Sequence, residues 1–165
     1  MGAGKSTLGK KLAAKMGFDF QETDAEVEKV AGMTIKEIFA QYGETHFRKT
    51  EQTVLKELFQ KENIVISTGG GTPCFFNNMD LMNEQGLTIY LMLSSKALVN
   101  RLKNAKNERP LLKGIEEEEM ESFISAKLAE REPFYLLSKL HLQGLDLNVN
   151  NLYEYIRQFE TSAGI

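Results

Sequence analysis

The chain has 165 residues, a formal net charge of −3 and 42% hydrophobic residues, which suits one soluble globular domain with a sizeable core. No basic stripe is present to hold nucleic acid, and no apolar run approaches the ~20 residues of a membrane span. The single cysteine, Cys74, rules out an internal disulfide and, with no signal-peptide pattern, fits the reducing cytoplasm.

In chain order, the first residues, Met1-Gly2-Ala3-Gly4-Lys5-Ser6-Thr7, read as the closing part of a phosphate-binding P-loop, G-x-x-x-x-G-K-[ST]. The opening glycine would sit two residues upstream of Met1. A helix over Lys5 to Met16 follows, with Leu8, Leu12 and Met16 at helical spacing and Gly17 as its stop. Phe18 to Phe20 is a brief strand leading to Glu22-Thr23-Asp24. A helix runs from Asp24 toward Val30 and ends near Gly32. Thr34 and Glu37 form a capping box for the next helix, which Gly43 breaks. A long helix then runs from about Glu44 to Lys61.

Asn63 to Ser67 is a short β-branched strand of the buried type, ending in Thr68-Gly69-Gly70-Gly71. A helix around Asn77 to Gln85 precedes a second buried strand, Leu87 to Leu93. Ser95 caps a helix through Leu102. The polar stretch from Lys103 to Gly114 reads as a flap. A helix from about Glu116 to Glu130 turns at Pro133. The last strand is either Leu140 to Leu142 or Leu145 to Leu147, and Asn151 to Phe159 is the closing helix. Strands separated by helices imply a parallel sheet with helices on both faces, and ligands then bind at the carboxyl ends of the strands.

The chemistry follows from the residue types. Glycines let backbone N–H groups turn onto phosphates, Lys5 reaches the same phosphates, and the Ser6 hydroxyl suits Mg²⁺. Asp24 is a helix N-cap or the acceptor of a substrate hydroxyl proton. Arg48 pairs with Glu44 or Glu51 at helical spacing, or, together with Arg131, forms a fork for a carboxylate. Three successive glycines at 69–71 favour close approach of a ligand to the backbone. Arg109 is a loop arginine or one that reaches a transferring phosphate. His46 and His141 have no partners at metal-site spacing.

Six segments in order, G-A-G-K-S-T, E-T-D at 22–24, G-E-T-H-F-R-K-T-E at 43–51, S-T-G-G-G at 67–71, R-P-L-L at 109–112 and R-E-P-F-Y at 131–135, resemble shikimate kinase over nearly the whole chain. The resemblance implies a P-loop kinase of the nucleoside-monophosphate-kinase type. Its members move the γ-phosphate of ATP to the 3-hydroxyl of shikimate, on the route to chorismate and aromatic amino acids. It implies a three-layer α/β/α fold with parallel strand order 2-3-1-4-5, as one domain over 1–165 with a lid at about 103–114.

The same resemblance implies roles. Gly2, Ala3, Gly4, Lys5, Ser6 and Thr7 would bind ATP, with Ser6 on Mg²⁺ and Glu22 supporting the metal through water. Lys5, Asp24 and Arg109 would be catalytic, Arg109 also contacting ATP. Asp24, Arg48, Gly70, Gly71, Arg131, Phe39 and Phe47 would bind shikimate, with Glu51 orienting Arg48. Arg101 and the region near Asn148 are candidates for adenine. A cytoplasmic monomer is implied, with shikimate and ATP as its ligands and neither nucleic acid nor membrane as partner. Other readings are a gluconate or nucleotide kinase, or a non-catalytic kinase-like module.

Two departures stand out. Glu22 replaces the usual aspartate of D-x-D. The apolar strand that precedes the loop in that family, central in its sheet, is absent from this sequence. Its neighbours would expose unpaired N–H and C=O groups, each costing on the order of 1–3 kcal/mol if buried. The expectation is an unstable or poorly active 165-residue chain, whose native start lies upstream of Met1 or which is a fragment.

Overall fold

The computed structural model describes residues 2–103 and 117–164. It contains α1 (Lys5–Met16), β1 (Asp19–Glu22), α2 (Thr23–Ala31), α3 (Ile35–Leu58), β2 (Ile64–Ser67), a 3-10 turn (Thr72–Cys74), α4 (Asn78–Gln85), β3 (Ile89–Met92), α5 (Ser95–Lys103), α6 (Glu117–Tyr135), β4 (Leu140–Gln143) and α7 (Val149–Ala163). The expected flap beyond Lys103, with Arg109-Pro110-Leu111-Leu112, lies outside the described residues.

Most boundaries follow local chemistry. Gly17 and Gly32 end α1 and α2 in the left-handed conformation, where a Cβ would cost energy. Thr34 and Glu37 form the capping box: Thr34 Oγ1 accepts from Glu37 N at 3.3 Å, and Thr34 N donates to Glu37 Oε2 at 2.8 Å. Gly43, at φ 76° and ψ 174°, leaves the helical conformation and breaks α3 into two segments, as its sequence position suggests.

Three expectations change. The cap of α5 is Ser94 rather than Ser95, because Ser94 Oγ accepts from Ala97 N. Helix α6 runs through Pro133 to Tyr135 instead of turning at the proline. The last strand is the first of the two alternatives, extended to Gln143.

Both strand pairings are parallel. β1 pairs β2 from Asp19 opposite Ile64 to Glu22 opposite Ser67, and β3 pairs β4 from Ile89 opposite Leu140 to Met92 opposite Gln143. Alternation splits the apolar residues of β2 between two layers. Ile64 and Ile66 pack with Val27, Ile38, Phe47, Val54 and Leu58 of α2 and α3, whereas Val65 packs with Leu12, Leu152 and Ile156 of α1 and α7. A third cluster joins α5 and α6 through Leu98, Val99, Leu102, Met120 and Ile124, and Ala3 packs against it.

The two pairs do not join. Among the described residues, β2 pairs only with β1, and β3 only with β4. Their other edges line one cavity of about 640 Å³, which Leu8, Leu12, Val65, Ile89 and Leu91 also border. In the order 2-3-1-4-5 the outer pairs are therefore present, and the cavity takes the central place. All four residues of β3 and the apolar residues of β2 are only half-buried, the signature of a sheet whose middle is open.

Candidate active site

The parallel register builds the site. Glu22 lies opposite Ser67, so β1 and β2 end at the same level and the residues after them meet. Gly69 N donates to the fully buried Thr23 Oγ1 at 2.9 Å. That bond sets Asp24 beside the glycine run. A Cβ on Gly69 would lie 2.7 Å from Asp24 Oδ1 and 3.1 Å from Glu51 Oε1, closer than side chains tolerate. Glycine is thus required here by contact rather than by backbone angle.

Asp24 is not the helix cap. The cap position of α2 is Glu22, and its side chain makes no capping bond. The Asp24 carboxyl keeps an exposed surface but sits deep in the cleft. Loss of hydration there, followed by the negative charge of Glu51, raises its pKa above the usual carboxylate value, and Lys5 pulls it back. The charge of the P-loop lysine is thus felt at the candidate base.

At the loop itself, Gly2 and Gly4 adopt φ of 74° and 83°, and Gly4 leads into α1, whose N-terminus favours an anion. The Ser6 hydroxyl donates to Glu22 Oε1, and Lys10 Nζ lies 3.8 Å from the other oxygen of the same carboxylate. Arg101, a candidate for adenine, also holds backbone. Its Nη1 donates to the Ala3 carbonyl at 3.0 Å, and its Nη2 donates to the Gly144 and Leu145 carbonyls at 2.7 and 2.9 Å. It ties the phosphate loop to the turn after β4.

The second half of α3 carries the acid-binding candidates. Arg48 Nη1 donates to Glu51 Oε2 at 2.8 Å, while Nε and Nη2 donate to Glu44 Oε1 at 3.2 and 3.1 Å. Both partners that helical spacing allowed are used. The Phe47 and Phe75 rings flank the guanidinium, at 4.9 and 4.1 Å from centroid to carbon. Glu51 is 1% exposed and also accepts from Thr72 Oγ1 at 2.6 Å. Asn78 Nδ2 donates to the Thr72 carbonyl at 2.9 Å, and Gln52 Nε2 donates to Asn78 Oδ1 at 3.0 Å. Among the described residues no buried side-chain polar atom lacks a partner, so Arg48 is held by a satisfied network.

Arg131 approaches from α6. On the same helix, one turn on, the Tyr135 hydroxyl donates to the Gly70 carbonyl at 2.6 Å. Burial raises the pKa of the Cys74 thiol, and the positive charges of Arg131 and Arg48 both lower it. Both guanidiniums therefore act on the Cys74 thiol through their charge. Phe39, an exposed residue of the first half of α3, stacks on Phe47 with centroids 4.8 Å apart. Arg109 falls outside the described residues, and Asn148, the other adenine candidate, caps α7 by accepting from Asn150 N and Asn151 N.

The family model for shikimate kinase matches residues 1–159. The chain belongs to the shikimate kinase family. A shikimate kinase of Azobacteroides pseudotrichonymphae is 46% identical over 155 residues, covering 93% of this chain and 91% of its own. A crystal structure of shikimate kinase from Bacteroides thetaiotaomicron superposes with a TM-score of 0.89 at 37% identity, covering 100% of this chain and 94% of that one. Shikimate kinase from Acinetobacter baumannii, solved in complex with shikimate, gives 0.82 at 33% identity over 99% of this chain and 89% of its own. With shikimate kinases this close in sequence and fold, the chain is an ATP-dependent kinase of that family.

Proposed function

We propose that this cleft moves the γ-phosphate of ATP to the 3-hydroxyl of shikimate with the residues named above. Gly2 to Thr7 cradle the phosphates, and Lys5 follows the transferring group. Asp24 accepts the hydrogen bond, and then the proton, of the attacking hydroxyl. Arg48 and Arg131 clamp the carboxylate, Glu51 orients Arg48, and Gly70 and Gly71 give the ring close access to backbone. Phe39 and Phe47 wall the pocket. What carries the reading is that Asp24 and Arg48 face the same glycine run: a Cβ on Gly69 would lie 2.7 Å from Asp24 Oδ1, and one on Gly71 2.6 Å from Arg48 Nη2. Carboxylate recognition thus stands next to phosphate chemistry.

Mg²⁺ fits the chain's own atoms. The Ser6 hydroxyl and Glu22 carboxylate, already in contact, are the hard oxygen ligands this ion takes, with Ser6 direct and Glu22 through water. When bound, the ion neutralises charge on the phosphates. Arg109 and a lid over about 103–114 complete the proposal, within one domain over 1–165. We take the enzyme to be a cytoplasmic monomer that needs neither nucleic acid nor membrane. No described helix is long and apolar enough to cross a bilayer.

The test is shikimate-dependent ADP formation. Arg131→Ala and Arg48→Lys should each raise the shikimate KM about ten-fold or more, since charge-assisted hydrogen bonds contribute about 1.5–3 kcal/mol, and leave the ATP KM nearly unchanged. Lysine is chosen at 48 because it keeps a positive charge beside buried Glu51 while losing the fork. Unaltered shikimate KM in both variants would remove the clamp. Turnover of gluconate or a nucleoside monophosphate in place of shikimate would select a different kinase.

Acid sensitivity provides a second test. A raised pKa means that Asp24 is protonated, and the base lost, at a higher pH than for an ordinary carboxyl. The acid limb of kcat/KM should therefore lie above the usual carboxylate range. The stability linkage has the opposite sense: this group favours the fold at low pH, and that contribution is lost as pH rises through its raised pKa.

A further inference from the structure

We infer that Glu44 is a displaceable occupant of the Arg48 fork, which the carboxylate of the acidic substrate must expel, so that Glu44 sets affinity for that acid. The inference rests on the reading of Arg48 as a carboxylate ligand.

The guanidinium has few free approaches. Its faces are covered by the Phe47 and Phe75 rings. Its Nη1 side meets Glu51, and a Cβ on Gly71 would lie 2.6 Å from Nη2 and 2.8 Å from Nη1. What remains is the edge formed by Nε and Nη2, the edge with two-point carboxylate geometry. Glu44 Oε1 now takes both of those N–H groups.

The two glutamates differ in what it costs to move them. Glu51 has a side chain 1% exposed and a second partner in Thr72. Displacing it would strand a buried charge. The Glu44 side chain is 54% exposed, stands directly after the kink at Gly43, and has Arg48 as its one polar partner among the described residues. It can swing into water with its charge hydrated. An incoming carboxylate offers two oxygens to the two N–H groups where Glu44 offers one, so exchange improves the geometry. Until Glu44 leaves, its charge also opposes the approach of an anion. The result is a fork kept in shape without substrate and opened by a group of the right charge.

Titration calorimetry of the full chain with shikimate tests this, using Glu44→Gln and Glu44→Ala. Exposed ion pairs contribute about 0.2–1 kcal/mol, so both variants should bind shikimate more tightly by about two- to five-fold. The uncharged methyl ester of shikimate should bind all three proteins equally. Unchanged or weaker shikimate binding in both variants would overturn the inference, as would an equal gain for the ester. Thermal melts of the variants separate a folding defect from a binding effect. Arg48→Lys is the control for the underlying reading. If it leaves shikimate affinity intact, the clamp fails; if it weakens binding while the Glu44 variants show no gain, only the displacement fails. No shikimate binding by the unaltered chain would overturn both.

Discussion

Around Arg48 every buried side-chain polar atom has a partner, whereas among the described residues β2 and β3 each leave one edge unpaired along a cavity. The acid pocket takes its order from side chains on α3 and the following 3-10 turn, elements packed on the β1–β2 pair. The phosphate loop hangs from the other side of the cavity, through Ala3 packed on α5 and Arg101 holding Ala3 to the turn after β4. Substrate recognition thus rests on one half of a divided sheet, whereas the phosphate loop touches both, since Ser6 and Lys10 also reach Glu22 of β1 and Leu12 of α1 packs with Val65 of β2.

Joining the halves should have the largest effect. An apolar extended segment placed ahead of Gly2, long enough to lie along both strand edges, would bury several side chains at about 1.5–3 kcal/mol each, against roughly 1–2 kcal/mol of backbone entropy per ordered residue. Added ladder hydrogen bonds favour it further. A melting temperature higher by more than about 10 °C is expected, with kinase activity rising in step. If differential scanning calorimetry shows no gain, the cavity is not a strand position.

Glu51→Ala should come next. It leaves Arg48 buried without its inner partner, and broken buried pairs cost about 3–5 kcal/mol. A urea midpoint equal to that of the parent chain would mean that the network contributes little. Gly71→Ala should cost less, because its Cβ presses on the Arg48 guanidinium 2.6–3.0 Å away and overpacking typically costs about 1–3 kcal/mol. Here the expected loss is in shikimate affinity, with ATP affinity spared. Equal losses for both ligands would show that the two halves are mechanically coupled after all.

What could be read from sequence follows the same divide. The Thr34–Glu37 box, the Gly43 kink and the Arg48 partners lie within four residues of one another, so spacing alone exposes them. Sequence leaves Asp24 open between cap and base, and the start of α2 at Thr23 removes only the cap. The Thr23–Gly69 bond spans 46 positions and the Arg101–Ala3 bond 98. Neither carries a local signal: a threonine beside an aspartate and an arginine late in a helix are ordinary. Thr72 and Asn78 were likewise silent, since small polar residues in a turn are expected to face water, and burial reveals itself only in three dimensions. The division of the sheet was legible, because the family's strand order could be compared with the strands present.

Cys74 turns the geometry of the pocket into something that can be followed in a test tube. It is the sole thiol of the chain, it is partly accessible, and it is acted on by both Arg48 and Arg131. Burial keeps it protonated, so alkylation at neutral pH is slow, and every labelled molecule is labelled at one place. An acid that neutralises the two guanidiniums removes what thiolate stabilisation they provide. The rate of a simple thiol reagent is therefore a built-in occupancy gauge, readable by mass spectrometry on unmodified protein without a turnover assay.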